Sequence, residues 1–142
     1  MQTMTRSKTL TITIEKDDGD EIWGSIDAPG FLYTTAGSTV EEITANLREQ
    51  VADFLAHEGK AMPEWEGISE SDITYDYEYE LTALFQVFSA IKINSIAELA
   101  GINKGLARQY ASGVKSASAQ QAKKIETAIH QLGERLMQVS IA

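Results

Sequence analysis

The stretch from Ser95 to Ser118, SIAELAGINKGLARQYASGVKSAS, constrains this chain more than any other. It predicts two short helices joined by a tight turn. Ser95 offers an N-cap, and Glu98 three residues later completes a capping box. Ile96, Leu99 and Ala100 then form one apolar face, and Gly101 supplies the left-handed residue that stops the helix. Asn103 caps the second helix, whose buried side is expected to carry Leu106, Ala107, Tyr110 and Ala111 before Gly113 ends it. Helices separated only by Gly101-Ile102-Asn103 have no room to run antiparallel, so they cross steeply, as in a helix-turn-helix. The outward residues of the second helix are Lys104, Gly105, Arg108 and Gln109. Arginine and lysine pair with guanine edges and glutamine with adenine, so this face has the chemistry of a major-groove reader. The plainer alternative is a helical hairpin with an ordinary solvated face. Caps, turn and outward residues agree with one another, which favours the reader.

Charge divides the chain near the same place. Residues 1–80 carry five Lys and Arg against eighteen Asp and Glu, or −13. Residues 81–142 carry seven against three, or +4, and the two sums return the chain's −9. An acidic half repels phosphate and a basic half attracts it, so two modules with different partners are expected, at 1–80 and 81–142. Acidity that serves only solubility is the alternative for the front half. A length of 142 residues suits one medium domain or two small ones. The absence of cysteine excludes a disulfide framework, a thiolate metal site and a thiol nucleophile. There is no run of 18 apolar residues, and Met1-Gln2-Thr3-Met4-Thr5-Arg6 lacks the apolar core of a signal peptide. A soluble, cytoplasmic protein without a membrane partner is therefore expected.

The front half reads as strands and one helix. Lys8 to Lys16 alternates Leu10, Ile12 and Ile14 with Thr9, Thr11 and Thr13, the pattern of a half-buried strand. Asp17-Asp18-Gly19-Asp20 is a turn, with Gly19 available for positive φ, and Glu21 to Asp27 returns antiparallel. Those aspartates lack the spacing of a calcium loop, and no metal is expected. Ala28-Pro29-Gly30 precedes a third strand, Phe31 to Thr35. Ser38 or Thr39 then caps a helix whose stripe is Val40, Ile43, Leu47, Val51, Phe54 and Leu55, ending at Gly59. Lys60 to Glu70 is expected as a loop, with Trp65 as a lid over the core edge rather than a ligand-stacking ring. Ser71 to Leu81 is a strand with Ile73, Tyr75, Tyr77 and Tyr79 on the face toward the helix. Asp72, Thr74, Asp76, Glu78 and Glu80 share the other, a solvated face or a docking surface for a basic protein. The module is thus βββαβ, an antiparallel-dominated sheet with one helix, α+β in class.

Behind it, Leu81, Leu84, Phe85 and Phe88 begin a helix with almost no linker. Ser116 or Ser118 caps a long last helix with Ile125, Ala128, Ile129, Leu132 and Leu136 inward, and Met137 to Ile141 alternates like a short strand. That tail predicts a two-fold contact in a homodimer or higher even oligomer, or a fold-back onto its own module. Enzyme chemistry has little support. His57 and His130, both expected near helix C-termini, lack a nucleophile or metal-ligand partner at motif spacing, and no phosphate-cradling glycine motif occurs. A metal-dependent nuclease of the ribonuclease H kind needs inward-aimed acids, whereas the inward residues here are apolar.

From Leu81 to Gly133 the chain resembles the helix-turn-helix of phage-repressor-type regulators, through Leu99-Ala100-Gly101-Ile102, Tyr110, Ser112-Gly113 and Lys115. The resemblance implies base contacts from Lys104, Gly105, Arg108 and Gln109, although Gly105 has no side chain to offer one. Phosphate contacts fall to Lys115, Asn103 and Ser112. Over nearly its full length the chain resembles HicB-family antitoxins. The carriers are the opening strand pair, Asp27-Ala28-Pro29-Gly30-Phe31, Ala36-Gly37-Ser38-Thr39-Val40-Glu41-Glu42, and the order of the two modules. This implies a partial ribonuclease H-like module without catalytic carboxylates, followed by an all-α helix-turn-helix DNA-binding module. It also implies a small basic HicA-like toxin as partner, operator DNA as the second ligand, and no cofactor. The acidic strand residues Asp72, Asp76, Glu78 and Glu80 are the candidate toxin contacts. A solitary transcriptional regulator without a toxin is the alternative.

Overall fold

The alternation read in β1 (Lys8–Lys16) places Leu10, Ile12 and Ile14 on one face, and all three are buried. The computed structural model describes residues 7–142; residues 1–6, read above as lacking a leader's apolar core, lie outside them. β2 (Ile22–Ala28) returns antiparallel, with Ser25 opposite Thr13 and Trp23 opposite Glu15. Their turn is not made by a left-handed glycine as expected, because Gly19 has no positive φ. Instead the Asp17 carboxylate accepts the Gly19 N–H at 2.8 Å and the Trp23 indole N–H at 3.0 Å. An aspartate side chain bonding two residues ahead shapes such a turn by itself. β2 and β3 (Phe31–Gly37) form a hairpin over Pro29-Gly30. Proline suits the first corner, and Gly30 takes the second at φ 96°, where a side chain would be strained.

Thr39, rather than Ser38, caps α1 (Val40–Ala56): its hydroxyl accepts the Glu42 N–H while the Glu42 carboxylate accepts the Ser38 N–H, both at 3.1 Å. The helix stops at Ala56, short of Gly59, with His57 as its C-cap. Ile43, Leu47, Val51 and Phe54 are buried, and α1 lies against β2 and β3. Each such side chain stabilises by roughly 1.5–3 kcal/mol relative to exposure. Gly24 sits directly beneath Ile43, and any Cβ there would collide with that side chain. The expected loop contains short 3-10 turns at Glu58–Ala61, Pro63–Trp65 and Glu70–Asp72. Trp65 is a lid, 2 % exposed, donating its indole N–H to the Pro29 carbonyl at 2.7 Å beside the rings of Phe31 and Phe54. β4 (Ile73–Tyr79) is shorter at both ends than read and runs parallel to β1, in the order β3-β2-β1-β4. A parallel neighbour needs a crossover, which the segment containing α1 supplies.

In the second unit, α2 (Leu81–Val87) follows β4 after one residue. Its buried residue is Ala83; Phe88, expected on its apolar face, lies beyond its end and is 42 % exposed. α3 (Ile93–Ala100) starts two residues before Ser95, so the expected capping box does not form: Lys92 is the N-cap and no side chain caps it. The buried face of α3 is centred on Ile96 and Ala97, and Leu99 lies outward at 47 % exposure. Gly101 stops α3 at φ 71°. The Asn103 carboxamide accepts the Leu106 N–H at 3.0 Å to open α4 (Lys104–Ser112), which buries Ala107 and Tyr110 and ends at Gly113, φ 84°. Of the two serines, Ser118 caps α5 (Ala119–Met137), whose buried residues are Ile125 and Ala128. Leu136, expected inward, is 61 % exposed. α5 absorbs Met137, and no strand forms in the tail, which finds no neighbouring strand to pair with. His130 stands two turns inside α5, not at its end.

The chain is therefore α+β, with a four-stranded mixed sheet and five helices among the described residues. It divides into two compact units, Met1–Glu80 and Leu81–Ala142. No helix among the described residues is long and apolar enough to cross a membrane.

Candidate functional site

In the second unit the buried cluster of Ile96, Ala97, Ile102, Ala107, Tyr110 and Ile125 holds α4 against its neighbours. That leaves Lys104 and Arg108 exposed along α4, with Gly105 and Gln109 half-buried beside them. Arg108 does not hang free: its Nη1 donates to Asn94 Oδ1 at 3.0 Å, tying it to the first turn of α3. Sequence reasoning missed Asn94, which lies fourteen residues away and belongs to no motif. Gly105 has a packing role as well. A Cβ there would come within 3.1 Å of the Asn103 Oδ1 that caps the helix and 3.9 Å of Arg108 Nη2. Asn103 is exposed, and its carbonyl oxygen is committed to the cap, leaving its amide N–H groups for an anion. Ser112 donates its hydroxyl to the Gln109 carbonyl at 3.2 Å, and the Lys115 N–H reaches the same carbonyl at 3.3 Å. Both side chains are exposed; Lys104, Arg108 and Ser112 follow at four-residue spacing along α4 as a polar, cationic strip, with exposed Asn103 before the helix and exposed Lys115 after it.

In the first unit the four candidate acids part company. Asp76 and Glu78 are exposed on β4, on the sheet face opposite α1. Asp72 is not on the strand: it closes the Glu70–Asp72 turn, its Oδ2 accepting Ser69 N–H at 2.9 Å and Ser69 Oγ–H at 3.0 Å. A carboxylate so occupied has less to offer a partner. Glu80 follows the strand and is exposed, with its N–H on the Ile14 carbonyl at 3.0 Å. The register brings other acids to Asp76 and Glu78 instead. Thr11 lies opposite Asp76 and Thr13 opposite Glu78, while Glu15 and Asp27 occupy the same face on β1 and β2. Trp23 is there too, with 38 % of its surface exposed and its indole fixed on Asp17. Those bonds, the indole first and the Gly19 N–H second, hold the Asp17 carboxyl below its ordinary range.

The tyrosines of β4 lie on the α1 side. Tyr77 shares a 2.9 Å hydrogen bond with Thr44, and the Arg48 guanidinium lies 5.4 Å from the Tyr75 ring while bonding Glu70 at 2.8 Å. Tyr75's hydroxyl is buried without a hydrogen-bond partner, and burial pushes it up to about 12. At the end of α1, Asp53, His57 and Glu58 bring ligand-type atoms within 4.8 Å of one another, a grouping that motif spacing did not reveal. All three are exposed, and His57 Nδ1 already faces Asp53, 2.9 Å from its carbonyl and 3.3 Å from its carboxylate. Compared with known proteins, the chain matches no family model, no curated protein and no solved structure.

Proposed function

We propose that this chain is an antitoxin of the HicB type. Its first unit docks a small basic toxin of the HicA kind, and its second represses an operator by binding DNA. The observation that carries the reading is the pairing of opposite charge with two separate units: −13 over residues 1–80 and +4 over 81–142. The basic unit carries Lys104 and Arg108 exposed on a short helix that follows a three-residue turn, as expected of a repressor-type helix-turn-helix. The order β3-β2-β1-β4, with β4 parallel to β1, agrees with a partial ribonuclease H-like sheet. In this reading Lys104, Arg108 and Gln109 reach bases, Lys115 and Ser112 hold phosphates, and the protein works in the cytoplasm without a cofactor. Dimerisation is supported by Leu136, Met137, Val139 and Ile141, 61–90 % exposed in one short stretch.

The test is purification of the full chain from its native host, followed by selection of its preferred site from random duplex DNA. Recovery of a small basic protein whose mRNA cleavage the chain blocks, together with a palindromic site, is the expected result. A selected site without any such protein would make the chain a solitary regulator, and no selected site would end the DNA reading. Removing residues 138–142 should convert a dimer to a monomer by sedimentation.

A further inference from the structure

We propose that the helix-free face of the sheet is a docking platform for a cationic protein segment, with Trp23 as its fixed aromatic anchor. This rests on the antitoxin reading and moves the toxin contact from β4 alone to the middle of the sheet, across β2 and β1. The face is defined by register. One row runs Thr34, Ser25, Thr13, Glu78 across all four strands; Trp23 lies beside Glu15 on one side of it, and Leu32 beside Asp27 on the other. No lysine or arginine stands on this face in any of the four strands, since Lys8 and Lys16 take the opposite parity. Lys8 in fact lies over the Trp65 ring, 4.5 Å from its centroid. Acids spread over three strands, with no base to neutralise them, give the face a single sign.

Two apolar groups interrupt that acidic field. Leu32 is 66 % exposed and Trp23 38 %. A large aromatic surrounded by polar and charged groups has the anatomy of an interface hot spot. Trp23 is also preorganised, because its indole N–H is bonded to Asp17 and its ring loses little freedom on binding. An indole face beside carboxylates suits a Lys or Arg side chain, which meets the ring quadrupole and the acids together. The sign selects the occupant. DNA, RNA and anionic lipid would be repelled, and the same face of a second copy would set acid against acid across a two-fold axis. A basic polypeptide remains.

The test uses the full chain, immobilised, and a phage-displayed library of random dodecapeptides as probe. The selected pool should be rich in Lys and Arg, and its binding should weaken with salt. Trp23→Ala should lower the affinity of the selected peptides about tenfold, within the range of a hot-spot residue. Trp23→Phe should keep part of it, and the surface variant Asp27→Lys with Glu78→Lys should abolish it without touching the core. A pool that is neutral or acidic, an empty selection, or equal affinity for wild type, Trp23→Ala and the double charge reversal would overturn the proposal. The antitoxin reading fails separately, if the wild-type chain blocks no small basic toxin. Toxin neutralisation undiminished by Trp23→Ala and by the double charge reversal would sink this surface alone.

Discussion

The two units place their polar faces by opposite means. The cationic strip of the second unit lies within residues 103–115: a helical period aligns Lys104, Arg108 and Ser112 on α4, Asn103 stands in the turn before the helix, and Lys115 just past its end. The acidic face of the first unit draws on β1, β2 and β4, whose residues meet only through strand register. A face built locally tolerates change elsewhere in its unit, whereas a face built by register depends on every strand holding its place. The two should therefore fail differently when damaged.

Core truncation is the largest test of that difference. Leu47→Ala should destabilise the first unit by about 2–5 kcal/mol, and Ile96→Ala should do the same to the second. Both tryptophans, Trp23 and Trp65, lie in residues 1–80, so tryptophan fluorescence follows the first unit and DNA affinity the second. Leu47→Ala should move the fluorescence transition in urea and leave DNA affinity unchanged. If each variant moved both readouts equally, the two units would be one cooperative structure.

A smaller effect separates the residues of the cationic strip. Arg108→Ala should cost about 1–3 kcal/mol at the selected DNA site and relax preference at one position, and Lys115→Ala should weaken all sequences alike. Asn94→Ala should reproduce the Arg108 pattern at a fraction of its size, since Asn94 acts by holding the guanidinium. Fluorescence anisotropy against the selected site and random duplex distinguishes these outcomes. Equal losses on both DNAs for Arg108→Ala would make Arg108 a phosphate contact.

The smallest effect is alkaline and belongs to the first unit. Tyr75 is pushed up to about 12, by burial first and the Glu70 carboxylate second, with Arg48 opposing. The unfolded chain ionises the same group near pH 10. The fold favours the neutral phenol, so its contribution is complete below about pH 10 and is lost as pH rises through about 12. The urea midpoint by fluorescence should fall over that window, and Tyr75→Phe should flatten the fall. A variant as alkali-sensitive as wild type would assign the loss to another group.

The same contrast explains what the sequence made legible. β1 is legible to its ends, Lys8 and Lys16, because its alternation is strict, and Gly101 and Gly113 mark the stops of α3 and α4 because glycine suits the left-handed region there. Ser95 misleads, since a capping box describes local bonding alone, whereas the helix already runs from Ile93, with Ile96 and Ala97 as its buried face. Leu99 points away from that face, which its i, i+3 spacing from Ile96 alone does not reveal. Asp72 looked like a strand residue by parity until its carboxylate bonded Ser69. The Asn94–Arg108 bond and the gathering of Glu15, Asp27 and Trp23 with Glu78 are tertiary, and no spacing encodes them.

The parallel pairing of β1 with β4 also bears on how the protein is made. Lys8 pairs with Ile73, and everything between them must be synthesised before the sheet can close. Long loop closures slow folding, whereas helices joined by three-residue turns form quickly. On the ribosome β1 emerges first and waits, one edge open to other chains, until the last strand of its own unit arrives. The helical unit, although translated later, has no such delay. During each round of synthesis the open edge of β1 is thus exposed for as long as the chain from Lys8 to Ile73 takes to emerge, an interval in which the first unit is at its most vulnerable to pairing with another chain.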